Sequence, residues 1–231
     1  MKKAHLGLSL LLLFAAGGQS SAQDAPAGAE ACLVKLPGIS FSRSLNGAAG
    51  HVTLDGGTLK LASGPKSDYF RDPDGTLAIG NAPVLLAPID NTQPFTLTAR
   101  ITPTFRQTYD AGTLYVYLDE KRWLKFALEM DERHKTRIVT VRTLGTSDDN
   151  NHDVVSQAFV HLKITSDTKV IGFYYSLDDK TWQLVRLFRN DYPASIWVGI
   201  SSQSPMGEGS STTFEGVSLN HKSVADFRLG L

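Results

Sequence analysis

The stretch Leu114-Tyr115-Val116-Tyr117-Leu118-Asp119-Glu120-Lys121-Arg122-Trp123-Leu124-Lys125-Phe126 decides the fold. Aliphatic and aromatic residues alternate up to a charged turn, and the chain re-enters on Trp123 as a second apolar run. Strand, polar turn, strand is the signature of a β-hairpin. The register follows from the side-chain period of two, because a slip of one residue exchanges the faces. A two-residue loop would pair Tyr117 with Leu124 and Tyr115 with Phe126, which mixes polar and apolar residues on both faces. An odd loop pairs Tyr117 with Trp123 and Tyr115 with Lys125. It gathers Leu114, Val116, Leu124, Phe126 and Leu128 on a core face. The other face then carries Tyr115, Tyr117, Trp123, Lys125, Ala127 and Glu129.

The phrase has an echo in Phe173-Tyr174-Tyr175-Ser176-Leu177-Asp178-Asp179-Lys180-Thr181-Trp182, a second hairpin. In the same register it sends Phe173, Tyr175, Val185 and Leu187 inward and leaves Tyr174, Ser176, Trp182 and Arg186 on the other face. A Trp opening a strand after a turn commonly packs beneath that turn, so Trp182 reads as structural. Phe95 to Thr102 alternates strictly, with Phe95, Leu97, Ala99 and Ile101 inward. Asp55-Gly56-Gly57 supplies the positive-φ turn of a short hairpin between Val52 and Leu61. Ile196, Val198 and Ile200 read as buried, which turns Trp197 to the opposite face. Further strands are expected at residues 137–142, 160–165 and 212–219, and no segment has sustained helical periodicity. The expected fold is all-β: an antiparallel sandwich of jelly-roll type occupying residues 41–220.

Met1-Lys2-Lys3, the apolar run Leu6 to Ala16 and the small residues Ser20-Ser21-Ala22 form a secretory signal pattern, with cleavage before Gln23. Its apolar run is too short for a spanning helix. The opening looks bacterial, and the expectation is export to the periplasm or beyond with no membrane span after cleavage. Residues 23–40 are rich in Ala, Gly and Pro and read as a flexible leader or a loosely held edge; residues 221–231 read as a C-terminal tail. Cys32 is the single cysteine, so no intramolecular disulfide can form. Lys plus Arg and Asp plus Glu both number 23. That balance offers no cationic excess for phosphates and argues against nucleic acid as a partner.

A sheet face mixing Tyr, Trp, Lys and Glu suits carbohydrate. Aromatic planes pack against the C–H face of a pyranose, and charged side chains take its hydroxyls. The ligand-binding residues expected are Tyr115, Tyr117, Trp123 and Trp197 for stacking, with Lys125, Glu129 and Arg142 for hydrogen bonding. The competing reading is that the aromatics are cross-strand pairs covered by a loop or by the N-terminal segment. An enzymatic alternative would use Glu129 and Asp131 as a glycosidase or lyase pair, but Arg133 stands where a third carboxylate would protonate the leaving group. There is no Gly-x-Ser-x-Gly elbow, and His51, His134, His152, His161 and His221 lack metal-ligand spacing. Ser147 to Asp153 is oxygen-rich without EF-hand spacing and reads as a solvated loop. No cofactor, no metal and no catalytic residue is expected.

Asp68-Tyr69-Phe70-Arg71-Asp72-Pro73, Asn81-Ala82-Pro83, Tyr109-Asp110-Ala111-Gly112, Trp123-Leu124-Lys125 with Glu129, Tyr175-Ser176-Leu177-Asp178 with Trp182, and Gln203-Ser204-Pro205 with Gly207-Glu208-Gly209 follow in order. This ordered set resembles the bacterial and fungal family whose fungal namesake is called regulation of enolase 1, within the concanavalin A-like lectin/glucanase superfamily. The resemblance covers about residues 41–220. It implies a jelly-roll sandwich with a concave face and no agreed catalytic residues. Asp179 departs from it, standing where Gly is common. A signal peptide also separates such a chain from a cytosolic glycolytic enzyme. The resulting expectation is an exported, non-catalytic sandwich binding a glycan or polysaccharide on its concave face, with a hydrolase or lyase and a structural protein-interaction module as alternatives.

Overall fold

The computed structural model of the chain describes residues 23–231; the expected signal peptide, residues 1–22, lies outside the described residues. Seventeen strands follow in chain order: β1 (Glu30–Leu36), β2 (Ile39–Leu45), β3 (Val52–Asp55), β4 (Thr58–Ser63), β5 (Tyr69–Arg71), β6 (Ala78–Gly80), β7 (Val84–Asp90), β8 (Phe95–Pro103), β9 (Ala111–Asp119), β10 (Arg122–Met130), β11 (Thr136–Leu144), β12 (Thr146–Val154), β13 (Val160–Ser166), β14 (Val170–Ser176), β15 (Gln183–Arg189), β16 (Ser195–Gln203) and β17 (Ser210–Asn220). An eight-stranded sheet has the order β1-β2-β7-β16-β9-β10-β11-β12, a seven-stranded sheet the order β15-β14-β13-β8-β17-β4-β3, and β5-β6 form a separate ribbon. Neighbouring strands pair antiparallel throughout. The fold is the expected all-β sandwich.

The first hairpin has the odd register, with Trp123 opposite Tyr117 and Lys125 opposite Tyr115. Leu114, Val116, Leu124, Phe126 and Leu128 enter the core between the two sheets, against Leu97, Ile101, Phe173 and Phe214. Strand β8 alternates buried and half-buried residues along its whole length, as its sequence predicts. Gly56 and Gly57 both take positive φ, 53° and 87°, between β3 and β4. That is the twist a two-residue hairpin loop needs.

The second hairpin departs from the expectation. A register shift follows the pairing of Phe173 with Arg186, so that Tyr174 faces Leu184 and Val185 becomes the extra residue of a bulge. One inserted residue reverses the alternation beyond it. Phe188 therefore enters the core and Leu187 is exposed. Arg186 crosses the edge of the sandwich to Thr140 Oγ1 at 3.2 Å and to Asp148 at 3.5 Å.

Of the two readings of residues 23–40, the described chain has the held edge: β1 pairs with β2 at the margin of the eight-stranded sheet, with Val34 and Leu36 in the core. The oxygen-rich segment Ser147 to Asp153 is also a strand, β12, at the opposite margin. An edge strand facing solvent needs no apolar alternation, so polarity concealed it. Residues 221–231 fold back over the seven-stranded sheet: Lys163 Nζ donates to Gly230 O at 2.8 Å and Tyr174 Oη to Phe227 O at 2.8 Å. Among the described residues no helix is long and apolar enough to cross a membrane.

Candidate functional site

The face of the eight-stranded sheet turned away from the core carries its residues in rows across β12, β11, β10, β9 and β16. One row runs Asp149, Val141, Lys125, Tyr115, Gly199 and the next Asn151, Val139, Ala127, Thr113, Ser201. Beyond them lie Trp123, Tyr117 and Trp197 at one end and Glu129, Ala111 and Gln203 at the other. Six of the seven expected ligand-binding residues are brought together here: Tyr115, Tyr117, Trp123, Trp197, Lys125 and Glu129.

Arg142 is the exception. It pairs with Leu124, a core residue, and so belongs to the opposite side of β11. There its guanidinium meets Asp191 at 3.6 Å, beside Arg122 at 3.3 Å. The period of two excludes Arg142 from the face once Val139 and Val141 are placed on it.

The aromatic end of the face is closed. Residues 66–82, including the ribbon β5-β6, cross it and set Tyr69 into it. The Tyr69 ring meets Tyr115, Tyr117 and Trp123 edge-on with centroids 6.0, 6.1 and 6.1 Å away. Edge-to-face contact is the favoured arrangement for the ring quadrupoles. Tyr115 and Trp123 are fully buried, and Tyr117 and Trp197 nearly so. Neither the Tyr115 hydroxyl nor Trp123 Nε1 has a protein hydrogen-bond partner. Asn46 Nδ2 bonds Gly80 O and Ala82 O at 3.1 and 2.7 Å, while Asn81 Oδ1 accepts from the Asp68 N–H at 2.9 Å. These bonds pin the crossing segment at both ends. Four aromatics expected to stack on a ligand thus form a packed layer under a lid, with residues 23–29 beside Trp197.

The polar end is held by a buried network. Lys125 Nζ lies 3.2 Å from Asp68 Oδ1, 2.9 Å from Tyr69 O and 3.2 Å from Gln203 Oε1. Gln203 Nε2 donates onward to Glu129 Oε2 and to Tyr109 O, both at 3.3 Å. Burial pushes the Glu129 carboxyl up to about 8; Lys125 opposes this, and Asp68, Asp149 and Asp131 add to it. Burial opposes the charge on Lys125, yet Asp68, Glu129 and Asp149 together hold its ammonium above the ordinary lysine range. Burial thus favours the neutral form of Glu129, which can donate as well as accept.

Tyr109 stands at the mouth of this end. It is 37 % exposed and sits in the left-handed region at φ 68°. Its backbone is fixed by its N–H to Met130 O at 2.7 Å. Next to it the fully buried Asp110 carboxylate accepts the N–H groups of Arg106 and Gln107 at 2.8 and 2.9 Å and the Ser204 hydroxyl at 2.7 Å. Asp149 and Asn151 present exposed side chains from β12.

Asp131, paired with Glu129 in the enzymatic alternative, has both oxygens engaged in its own turn and by Arg137. One oxygen accepts the N–H groups of Arg133 and Lys135 at 2.9 and 2.8 Å, and the other meets Arg137 Nε and a terminal nitrogen, both at 3.0 Å. Although burial works against ionisation, the Lys135 N–H, the Arg137 guanidinium and the Arg133 N–H together hold its carboxyl below the usual range. It is a turn-closing carboxylate with its lone pairs engaged. Among the described residues no group of three or more His, Cys, Asp or Glu is placed to hold a metal ion.

Asp68, Tyr109, Asp149 and Gln203 are the site residues that the alternation argument does not reach. Three of them stand in the short motifs quoted above, so the signal existed as order along the chain. Those motifs converge in space: Asp68-Tyr69, Asn81-Ala82, Tyr109-Asp110, Trp123, Lys125, Glu129 and Gln203-Ser204 form one continuous network.

The chain is 27 % identical over 169 residues to "Regulation of enolase protein 1" of Saccharomyces cerevisiae, covering 73 % of this chain and 84 % of the yeast protein. A crystal structure of a functionally unknown protein from Saccharomyces cerevisiae superposes with a TM-score of 0.71 at 25 % identity, over 78 % of this chain and 96 % of that one. A GH43 protein from Bacillus licheniformis superposes with a TM-score of 0.61 at 17 % identity, over 79 % of this chain but 36 % of its own. That likeness is of fold alone, and the chain spans about a third of the GH43 protein's length. The family described as "Protein of unknown function (DUF1349)" matches residues 46–222, well over half of the chain, and this chain belongs to it.

Proposed function

We propose that this chain is an exported, non-catalytic β-sandwich that binds carbohydrate at the Glu129 end of the outer face of its eight-stranded sheet. The observation carrying this reading is the buried Lys125–Gln203–Glu129 network, which donates to the backbone carbonyl of the exposed Tyr109. Buried ionisable groups cost desolvation and contribute little net stability, and a buried carboxyl displaced to about 8 among charged neighbours is a functional-site candidate. Tyr109 offers the stacking plane. Glu129, Asp149 and Asn151 offer donors and acceptors for hydroxyls. The buried aromatics Tyr115, Tyr117, Trp123 and Trp197 form the packed, closed end of the same face, and Lys125 orients Gln203.

A glycan array probed with the residue 23–231 chain, followed by calorimetry on the best ligand, tests the reading. Tyr109→Ala and Glu129→Ala should each weaken binding at least about tenfold, as loss of a stacking plane or a buried hydrogen bond does. Absence of any glycan binding, or affinity unchanged in both variants, overturns it. The closed aromatic end favours one rival, a structural protein-interaction module; that rival gains if the array is blank.

A further inference from the structure

The accessible tryptophan is on the other sheet. Trp182 is half-buried, whereas Trp123 and Trp197 are buried. Its ring lines a cavity of about 190 Å³ on the outer face of the seven-stranded sheet, with Arg100, His161, Asp179, Glu215 and Gly216. The polar groups form one row: Glu215 and His161 flank Arg100 on neighbouring strands.

Each polar group is already fixed. Arg100 is ion-paired to Glu215 and lies over the Phe159 ring, 4.0 Å from its centroid. His161 Nδ1 faces Asp179 Oδ1 at 3.6 Å, which leaves Nε2 for a ligand, and its ring meets Phe159 edge-on at 6.0 Å. Trp182 is held from one side by the Lys163 ammonium, 3.6 Å from the ring centroid. Asp179 occupies the left-handed region at φ 60°, where glycine is the cheap residue, and its side chain is what reaches His161. A bulge between Glu215 and Ser218 places Gly216 at φ 58° with open space where a Cβ would project. Bulges of this kind re-aim side chains beside binding sites.

From this geometry we infer that the Trp182 cavity is a second carbohydrate site, separate from the Glu129 face, that takes one neutral pyranose, such as the terminal residue of a glycan. The cavity is smaller than the roughly 300 Å³ from which sites for drug-sized molecules begin, which suits a single ring. Adjacent hydroxyls of a sugar each need a donor or an acceptor. Arg100 and Glu215 supply one of each, and His161 Nε2 with Asp179 supplies further contacts. Arg100 is ion-paired to Glu215, and the Lys163 ammonium on the Trp182 ring offsets the charge of Asp179, so the surroundings favour a neutral ligand. Trp182 supplies the plane for the C–H face. Because the groups are positioned before binding, little ordering cost falls on association.

The test is titration of ¹⁵N-labelled residue 23–231 chain with the methyl glycosides of glucose, galactose, mannose and xylose. Amide shifts should cluster at residues 98–100, 161, 179–182 and 215–216 for at least one sugar, with millimolar affinity. Asp179→Gly relieves a left-handed backbone and so keeps the fold, yet should weaken that sugar at least about fivefold; Trp182→Ala should abolish the shifts. Shifts absent for all four sugars, or unchanged in Asp179→Gly and Trp182→Ala, overturn the inference. Shifts confined to residues around Glu129 and Tyr109 overturn it while supporting the first site. Loss of array binding at the Glu129 face with the Trp182 shifts intact separates the two claims in the other direction.

Discussion

Replacing Glu129 by Gln should make the protein more stable in mild alkali and leave it little changed in mild acid. The Glu129 carboxyl moves from 4.5 in the free side chain to about 8 in the fold, chiefly because burial disfavours its charge. Between those values the folded chain keeps a proton that the unfolded chain has released. Stability from this group is therefore fully present below about 4.5 and declines until the pH passes about 8. At about 1.4 kcal/mol per pK unit the whole loss is roughly 3–5 kcal/mol. Gln keeps the shape and the oxygen that accepts from Gln203 Nε2, but it has no proton to lose. Urea denaturation of both chains near pH 5, 7 and 9 measures the difference. Lys163, which burial draws down to about 8 against the opposing charge of Asp179, contributes a slope of opposite sign above that pH. It does so in both chains and cancels. A difference that stays flat from pH 5 to pH 9 would mean that Lys125 keeps Glu129 ionised throughout, and the account of the site as a neutral acid would be wrong.

Tyr69→Ala removes the ring that closes the aromatic layer and should cost roughly 3–5 kcal/mol. In the same variant Trp123 emission should shift to longer wavelength and become quenchable by acrylamide; unchanged quenching would show that residues 66–82 are not the lid. Asp110→Ala strips the acceptor from two backbone N–H groups and the Ser204 hydroxyl and should cost roughly 2–4 kcal/mol in the same denaturation assay. It should also weaken glycan binding through the adjacent Tyr109, and a variant with native stability would refute the anchoring role. Gly199→Ala would set a Cβ 2.4 Å from Leu85 O and 2.8 Å from Leu86 Cδ2 in the middle of the sheet. Overpacking of this kind should cost roughly 1–3 kcal/mol, and an unchanged melting temperature would mean that β7 and β16 can separate freely.

The pairing of Tyr117 with Trp123 is legible because alternation is local: one strand records which side each residue takes. The same rule fails at Val185, where one inserted residue changes the parity of everything after it and no composition signal announces the bulge. It fails differently at β12, whose polar residues satisfy an edge position that has no apolar face to declare. Arg142 was separable in principle, since Val139 and Val141 already claim the alternate side of its strand. What alternation cannot record is what lies above a face. The lid is formed by residues some fifty positions upstream of Trp123, and nothing in the Trp123 neighbourhood depends on them until the chain is folded. Trp123 faces away from the core, as read, but is covered from a distance, whereas Trp182, read as packed beneath its turn, is half-buried with the Lys163 ammonium on its ring.

The lid and the polar end are parts of one device. Asp68 belongs to the crossing segment, and its carboxylate is what stabilises the ammonium of Lys125 in a place that would otherwise expel a charge. Lys125 in turn fixes the oxygen of Gln203, which forces the Gln203 amide nitrogen toward Glu129 and the Tyr109 carbonyl. An amide has one donor end and one acceptor end, so the orientation chosen at Lys125 is transmitted to Glu129 without any freedom left between them. Closing the aromatic half therefore sets the geometry of the half that stays open. If the segment lifted, Lys125 would lose Asp68 and Tyr69 O together, Gln203 would be free to turn, and Glu129 would lose the Gln203 amide donor while gaining water. On the proposed reading, a ligand at Glu129 and Tyr109 would meet a surface whose shape is set in part by Asp68 through Lys125 and Gln203.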